Sequence, residues 1–141
     1  MARHCETFDH TADVGLAARA DSLGELLEAL AEGLAEVICA REQVAAVQKR
    51  AVAAAAEDVE ALAVDFLSAV LAAVQTGRFV VAAVRVTRID EGSPAVEAEL
   101  AGEPYQPSRH ELKTEVKAVT YHQLTIARAA DGWTARVILD I

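Results

Sequence analysis

The sequence has 141 residues, of which 53% are hydrophobic, and this is enough for one domain with a packed core over residues 1–141. Its net charge of -9 and aromatic content of 4% argue against a protein that binds nucleic acid strongly by itself, because the surface repels phosphates and offers few bases a stacking partner. Such a chain favours a cationic protein partner or a divalent cation. The first residues lack an apolar signal core, and no apolar run is long enough to span a membrane. We therefore expect a cytoplasmic protein, with Cys5 and Cys39 as free thiols, although a disulfide between them stays open.

The first part of the chain predicts a strand pair followed by a helix. Residues 4–20 are expected to form two strands or one bent strand, with the polar motif at the bend. Ser22 and Glu25 have the spacing of a capping box, and leucines at helical intervals follow them over Leu23–Cys39. Four glutamates fall on the other side of this amphipathic helix and are expected to face solvent: Glu25, Glu28, Glu32 and Glu36.

The middle of the chain predicts one more strand and a second helix. An alanine-rich composition favours helix before residue 56, but the fresh helix start at Glu57-Asp58 favours a strand over Arg50–Ala55. Apolar residues then recur at helical spacing over Val59–Gln75, and Gly77 stands where a glycine ends a helix. Asp65 within this helix is expected to face solvent.

The last part of the chain predicts sheet. Alternating residues predict strands at 80–87 and 96–100, and two more strands are expected at 117–128 and 133–141. The turn at 90–94 and the Asp131-Gly132 pair indicate hairpins, and Gly102–Ser108, with two prolines, is expected to be a loop. This order of elements predicts an α+β two-layer sandwich, with two helices packed on a largely antiparallel sheet.

Three short stretches carry the groups that could do chemistry. Asp9, His10 and Asp13 bring carboxylates and an imidazole together, which could bind a hard cation, although aspartates also serve in ordinary turns. Asp140 is followed by Ile141 and its α-carboxylate at the end of an apolar strand, which could act as a ligand or a cap. Lys117–His122 could face an anionic site or a partner, or could be an ordinary strand with a solvated lysine.

Common enzymatic motifs are missing from the sequence. It contains no dinucleotide-binding glycine motif, no phosphate-binding loop, no Cys-x-x-Cys, no nucleophile elbow and no His-Glu-x-x-His. This lowers the probability of a free-standing enzyme.

Taken together, Phe8–Gly15, Lys117–His122 and the final Ile138–Ile141 resemble the archease family over essentially the whole chain. The resemblance implies an accessory protein and not an enzyme. Archeases activate the tRNA-splicing RNA ligase, which joins RNA ends bearing a 2′,3′-cyclic phosphate or 3′-phosphate to a 5′-hydroxyl. They promote guanylylation of the ligase by GTP with a divalent metal, and they allow multiple turnover. The family fold is a two-layer α/β arrangement with antiparallel sheet.

The resemblance also implies the site residues. A divalent-ion site is expected at Asp13, Asp140 and the terminal carboxylate of Ile141, with calcium the expected ion and magnesium or manganese as alternatives. Lys117, together with His10, is expected to serve activation of the partner ligase, which itself uses the GTP.

Two other functions remain open at this point. One is a chaperone-like binding module for RNA-modifying enzymes. The other is a small metal-dependent hydrolase that uses His10, Asp13 and Asp140.

Overall fold

The computed structural model describes residues 3–10 and 13–141 of the chain. Two α-helices are present in this part, and they are α1 (Leu23–Ile38) and α2 (Val59–Gln75). The strands are β1 (Arg3–His10), β2 (Asp13–Ala20), β3 (Gln48–Ala55), β4 (Phe79–Asp90), β5 (Ala95–Pro104), β6 (Ala118–Val119), β7 (Thr125–Ala129) and β8 (Gly132–Asp140). Neither helix has the length and apolarity needed to cross a membrane.

The strands form two antiparallel sheets, which confirms the α+β class and divides the expected sheet in two. The larger sheet has the order β1-β2-β8-β6, with β7 also paired to β8, and the smaller one has the order β3-β5-β4. Helix α1 packs against β1 and β2 of the larger sheet and against β4 of the smaller one. Helix α2 packs mainly on the smaller sheet and also contacts β6 and β7. The core therefore lies between the two sheets and around the helices.

Helix α1 begins as its sequence predicts, but its glutamates do not all face solvent. Glu28 and Glu32 accept hydrogen bonds from the backbone N–H groups of Val86 (2.8 Å) and Val84 (3.0 Å) on the open edge of β4. Arg3 of β1 forms ion pairs with both carboxylates. The expectation that Glu28 and Glu32 face solvent is wrong, because β4, an edge strand with unpaired N–H groups, lies alongside this side of α1. The two glutamates thus join both sheets to α1.

The middle of the chain matches its prediction closely. Strand β3 covers the expected Arg50–Ala55, and α2 has the expected bounds. Asp58 caps α2 by accepting a hydrogen bond from the Ala61 N–H at 2.8 Å, and Asp65 is exposed. A Cβ added to Gly77 would lie 2.4 Å from the Ala73 carbonyl oxygen, so this helix end requires a residue without a side chain.

Two predictions for the last part are wrong. The strand expected over 117–128 is interrupted at 120–124, where Gln123 adopts a φ of 52° that an extended strand does not allow. Strand β5 also continues to Pro104, into the expected loop. The Asp131-Gly132 hairpin is confirmed, with Gly132 at a φ of 143° at the start of β8.

The larger sheet has one face on the core and one face without a helix among the described residues. Leu16 and Ala18 of β2 and Val137 of β8 point inward and are buried in the core. The alternate residues point the other way, and Arg19 and Arg136 are exposed there. We call this second surface, formed by the outward side chains of β1, β2 and β8, the open face.

Candidate functional site

The motif residues from distant parts of the chain meet in one row at the end of the larger sheet. His10 is paired with Asp13, Asp13 with Asp140, and Asp140 with Ala118, so the row crosses four neighbouring strands. The N–H of Lys117 donates a hydrogen bond to the Asp140 carbonyl oxygen at 2.7 Å. Four of the five predicted site residues are therefore neighbours through backbone pairing, and the fifth, Ile141, directly follows Asp140.

The two aspartates of the row face each other directly across β2 and β8. Residues opposite one another in an antiparallel pair have Cβ atoms about 5 Å apart on the same face. Asp13 is half-buried and Asp140 is exposed, so the pair lies where the sheet meets solvent. Two like charges in this position oppose pairing, whereas a cation between them reverses the sign of the interaction. Paired carboxylate oxygens suit a hard divalent cation.

A third oxygen ligand has to come from outside the aspartate pair. Within the described part of the chain, no cluster of three His, Cys, Asp or Glu side chains has the geometry of a metal site. The set expected from the sequence has two such side chains and the α-carboxylate of Ile141. The Ile141 side chain is half-buried and packs against the core, which holds this last residue beside Asp140.

Part of the first motif lies outside the described residues. This applies to Thr11, Ala12 and the side chains of Asp9 and His10. Only the backbone of His10 is therefore placed in the row.

The next row of the open face supports the aspartate pair from the side. The Phe8 ring lies over Gly15, since a Cβ added to this glycine would come within 2.0 Å of the ring. The guanidinium carbon of Arg136 lies 4.3 Å from the centre of the same ring, a cation–π distance. Ile138 is paired with Gly15 and is only 2% exposed, although it is outside the main core. This small apolar cluster keeps the aspartate strands in register.

Lys117 is the last residue of the loop 105–117, which connects β5 to β6. Hydrogen bonds hold the backbone on both sides of Lys117. Before Lys117, the Gln75 side chain donates a hydrogen bond to the Val116 carbonyl oxygen at 2.5 Å. Beyond Lys117, the N–H and the hydroxyl of Thr120 both donate to the Ile138 carbonyl oxygen, at 3.1 and 3.0 Å. The backbone of Lys117 is thereby fixed beside Asp140 while its side chain is exposed.

The beginning of this loop, next to β5, is held by a buried carboxylate–imidazole pair, Glu103 and His110, that no sequence pattern indicated. One oxygen of Glu103 accepts from the Ala45 N–H (2.8 Å), from Arg109 (3.0 Å) and from Nε2 of His110 (2.9 Å). Nδ1 of His110 accepts from the Gln106 N–H at 3.0 Å, so Nε2 carries the proton in the neutral ring. The hydrogen bonds from Ala45 and His110 hold the pKa of the Glu103 carboxyl below its usual value. Glu103 and His110 are separated by an irregular loop, so no regular spacing could have revealed the pair.

Comparison with known proteins gives a consistent result along the whole chain. Residues 5–141 match the model of the archease protein family. A "Protein archease" of Methanosarcina acetivorans is 38% identical over 138 residues, covering 96% of this chain and 94% of the relative. A "Protein archease" of Thermococcus kodakarensis is 37% identical over 142 residues, covering 99% of both chains. The solution structure of Methanobacterium thermoautotrophicum protein 1598 superposes with a TM-score of 0.82 at 33% identity, covering 97% of this chain and 98% of the other.

Proposed function

Because the chain belongs to the archease family of accessory proteins, we propose that it activates a GTP-dependent tRNA-splicing RNA ligase. In this role it promotes guanylylation of the ligase and allows repeated turnover during tRNA splicing or RNA repair. The observation that carries the proposal is the row at the end of the larger sheet. There Asp13 and Asp140 are directly paired, and Lys117 is hydrogen bonded to Asp140. Three separate motifs of the sequence thus converge on one surface.

The donor set of this row fits a divalent cation. Asp13 and Asp140 supply carboxylates from adjacent strands, and the α-carboxylate of Ile141 completes a set of hard oxygen ligands. Calcium is the proposed ion, with magnesium and manganese as alternatives. When bound, the ion supplies positive charge that neutralises phosphate oxygens. The chain's own part is to hold the two carboxylates opposite each other at the end of the paired strands β2 and β8.

The chemistry of GTP belongs to the ligase, and this chain acts by positioning. Phosphoryl transfer is accelerated mainly by orientation and by stabilisation of charge, which an accessory protein can improve at another protein's active site. The backbone of Lys117 is fixed beside Asp140 and its side chain is exposed, so its positive charge is suited to an anionic group of the ligase–nucleotide complex. His10 ends β1 in the same row and is assigned to the same contact. Free thiols at Cys5 and Cys39 suit the cytoplasm, where we place this activity.

The direct test is multiple-turnover RNA ligation by the cognate ligase with GTP and metal, with and without this protein. We expect faster guanylylation and sustained turnover with the wild type. Both are lost in Asp140→Asn and Lys117→Ala and retained in Asp65→Asn, an exposed aspartate on α2 that serves as a matched control.

Two results would contradict the proposal. An unaffected ligase would reject the activator role and favour a chaperone-like module, which should then protect other RNA-modifying enzymes from aggregation. An active Asp140→Asn protein would reject the site while leaving the activator role intact.

A further inference from the structure

The open face carries two arginines that form no ion pair among the described residues. Arg19 is paired in register with Thr134, and Arg136 lies two residues further along β8, so the two arginines are diagonal neighbours. Their Cβ atoms are therefore about 7 Å apart on one face. The nearby carboxylate of Glu6 lies 3.2 Å from His4. Two exposed guanidinium groups without a carboxylate partner among the described residues thus lie on one side of a chain whose net charge is -9, and that of Arg136 also lies over the Phe8 ring.

The outer face of the smaller sheet differs, because its charges neutralise one another. Glu99 of β5 lies 2.7 Å from Arg85 on one side and 3.9 Å from Lys49 on the other. Arg88 and Glu97 form a further cross-strand pair at 3.2 Å. Each of these charged side chains has a partner of opposite charge within the sheet, so this face requires no other protein to neutralise it. The smaller sheet therefore presents a face whose charges are paired, whereas the open face carries two arginines that form no ion pair among the described residues.

The two arginines border a shallow depression on the open face. Its volume is about 300 Å³, and its lining also includes His4 and Glu6 of β1, Ala17, Thr125 and Thr134. The apolar cluster of Phe8 and Ile138 lies next to it. A combination of arginine, aromatic and aliphatic groups around a depression is typical of the centre of a protein–protein interface.

The same face continues into the row that contains Asp13 and Asp140. Asp140 is four residues from Arg136 along β8, which corresponds to about 13 Å. The face thus has an acidic end and a basic end on either side of an apolar centre. A partner with this arrangement reversed would be held in one orientation, because turning it around brings like charges together.

We propose that the open face is the docking surface for the partner protein, with carboxylates of that protein opposite Arg19 and Arg136. The inference rests on the proposed function, because it takes the partner to be the ligase. The three strands of the open face, about 4.8 Å apart and about eight residues long, give a face of about 400 Å². This matches one side of a small, transient protein–protein interface. Docking at the basic end fixes the acidic row against the ligase.

The experiment compares two double variants that remove the same charge from different sheets. Arg19→Gln with Arg136→Gln alters the open face, and Arg85→Gln with Arg88→Gln alters the outer face of the smaller sheet. Affinity for the ligase is measured without RNA by calorimetry at low and moderate salt, together with guanylylation. The first pair of substitutions should weaken binding at least tenfold and reduce its salt dependence, while the second pair leaves both unchanged. Thermal unfolding in chelator checks that each variant is folded.

A second variant avoids truncating the arginines. Thr134→Glu adds a carboxylate between them, and it should also weaken binding to the ligase. Unchanged affinity in both open-face variants would overturn the proposal. So would a loss confined to the binding of an RNA oligonucleotide to the complex, since the face would then recognise phosphates. If the wild-type protein binds the ligase through this face but does not activate it, the proposed function is wrong and the docking surface is still supported.

Discussion

Replacing Asp140 by asparagine should change stability in opposite directions with and without metal. The substitution keeps the size of the side chain but removes one of two carboxylates that face each other across β2 and β8. Asp140 is exposed, so the new amide requires no buried partner. Directly opposed like charges cost a few tenths of a kcal/mol up to about 1 kcal/mol. In chelator, the Asp140→Asn variant should therefore be as stable as the wild type or more stable by about 0.5 kcal/mol.

With a bound divalent cation, the wild type should be more stable than the Asp140→Asn variant. An ion that binds only the folded state at a hundred times its dissociation constant adds about 2.7 kcal/mol to the free energy of unfolding. For a chain of this length, each kcal/mol corresponds to roughly 3 °C in the unfolding midpoint, which gives a shift of about 8 °C. The wild type should show this shift. The Asp140→Asn variant should show little of it, because a single aspartate and one terminal carboxylate form a weak site.

Thermal unfolding followed by circular dichroism in chelator and in millimolar calcium measures both effects. Asp65→Asn provides the control, since this exposed residue on α2 lies in a different part of the fold. Equal calcium-induced shifts in the wild type and in Asp140→Asn would refute the reasoning, because the ion would then bind elsewhere. A large loss of stability of Asp140→Asn in chelator would show that the carboxylate has a structural role instead.

Three further predictions concern the supporting structure. Glu32→Ala should lower the free energy of unfolding in urea by about 2 kcal/mol, because the N–H of Val84 loses its acceptor; an unchanged value would mean that water replaces the carboxylate. The lowered pKa of Glu103, due first to the Ala45 N–H, adds stability that is present above the unfolded pKa of about 4.3 and is lost as the pH falls through the folded pKa. Glu103→Gln should therefore flatten the decline in stability below about pH 4.3, and an identical acid profile would contradict this role. Burial, and to a smaller extent the carboxylate of Glu6, raises the pKa of Cys5 to about 11. Alkylation of Cys5 at pH 8, measured by mass spectrometry, should therefore be roughly a hundredfold slower in the folded than in the unfolded chain. Equal rates would show that the site opens readily.

Local patterns in the sequence predicted the elements well because their causes are local. The Ser22 and Asp58 caps and the apolar spacing that follows them defined both helices. The Asp131-Gly132 pair defined the last hairpin for the same reason. The break at 120–124 was missed, although the apolar positions change phase there, from Val119 to Ile126, where the backbone turns at Gln123.

The features that depend on distant parts of the chain could not be read from such patterns. The role of Glu32 depends on β4 lying alongside α1, and nothing near Glu32 in the sequence indicates this. The pairing of Asp13 with Asp140 likewise depends on the strand order β2-β8. The resemblance to a family suggested that these two residues belong together, whereas composition and periodicity did not. The buried Glu103–His110 pair lies in a segment without regular spacing and was missed altogether.

The central position of β8 determines when the row that contains Asp13 and Asp140 can form during synthesis. Strand β2, which supplies Asp13, is made early, and its neighbour β8, which supplies Asp140, follows all the other elements. Until β8 emerges, β2 presents an unpaired edge, and the β1–β2 hairpin has no third strand to stabilise it. A nascent chain that stops before β8 therefore lacks both the acidic row and a closed sheet. We therefore expect a chain truncated before β8 to be unstable and susceptible to proteolysis.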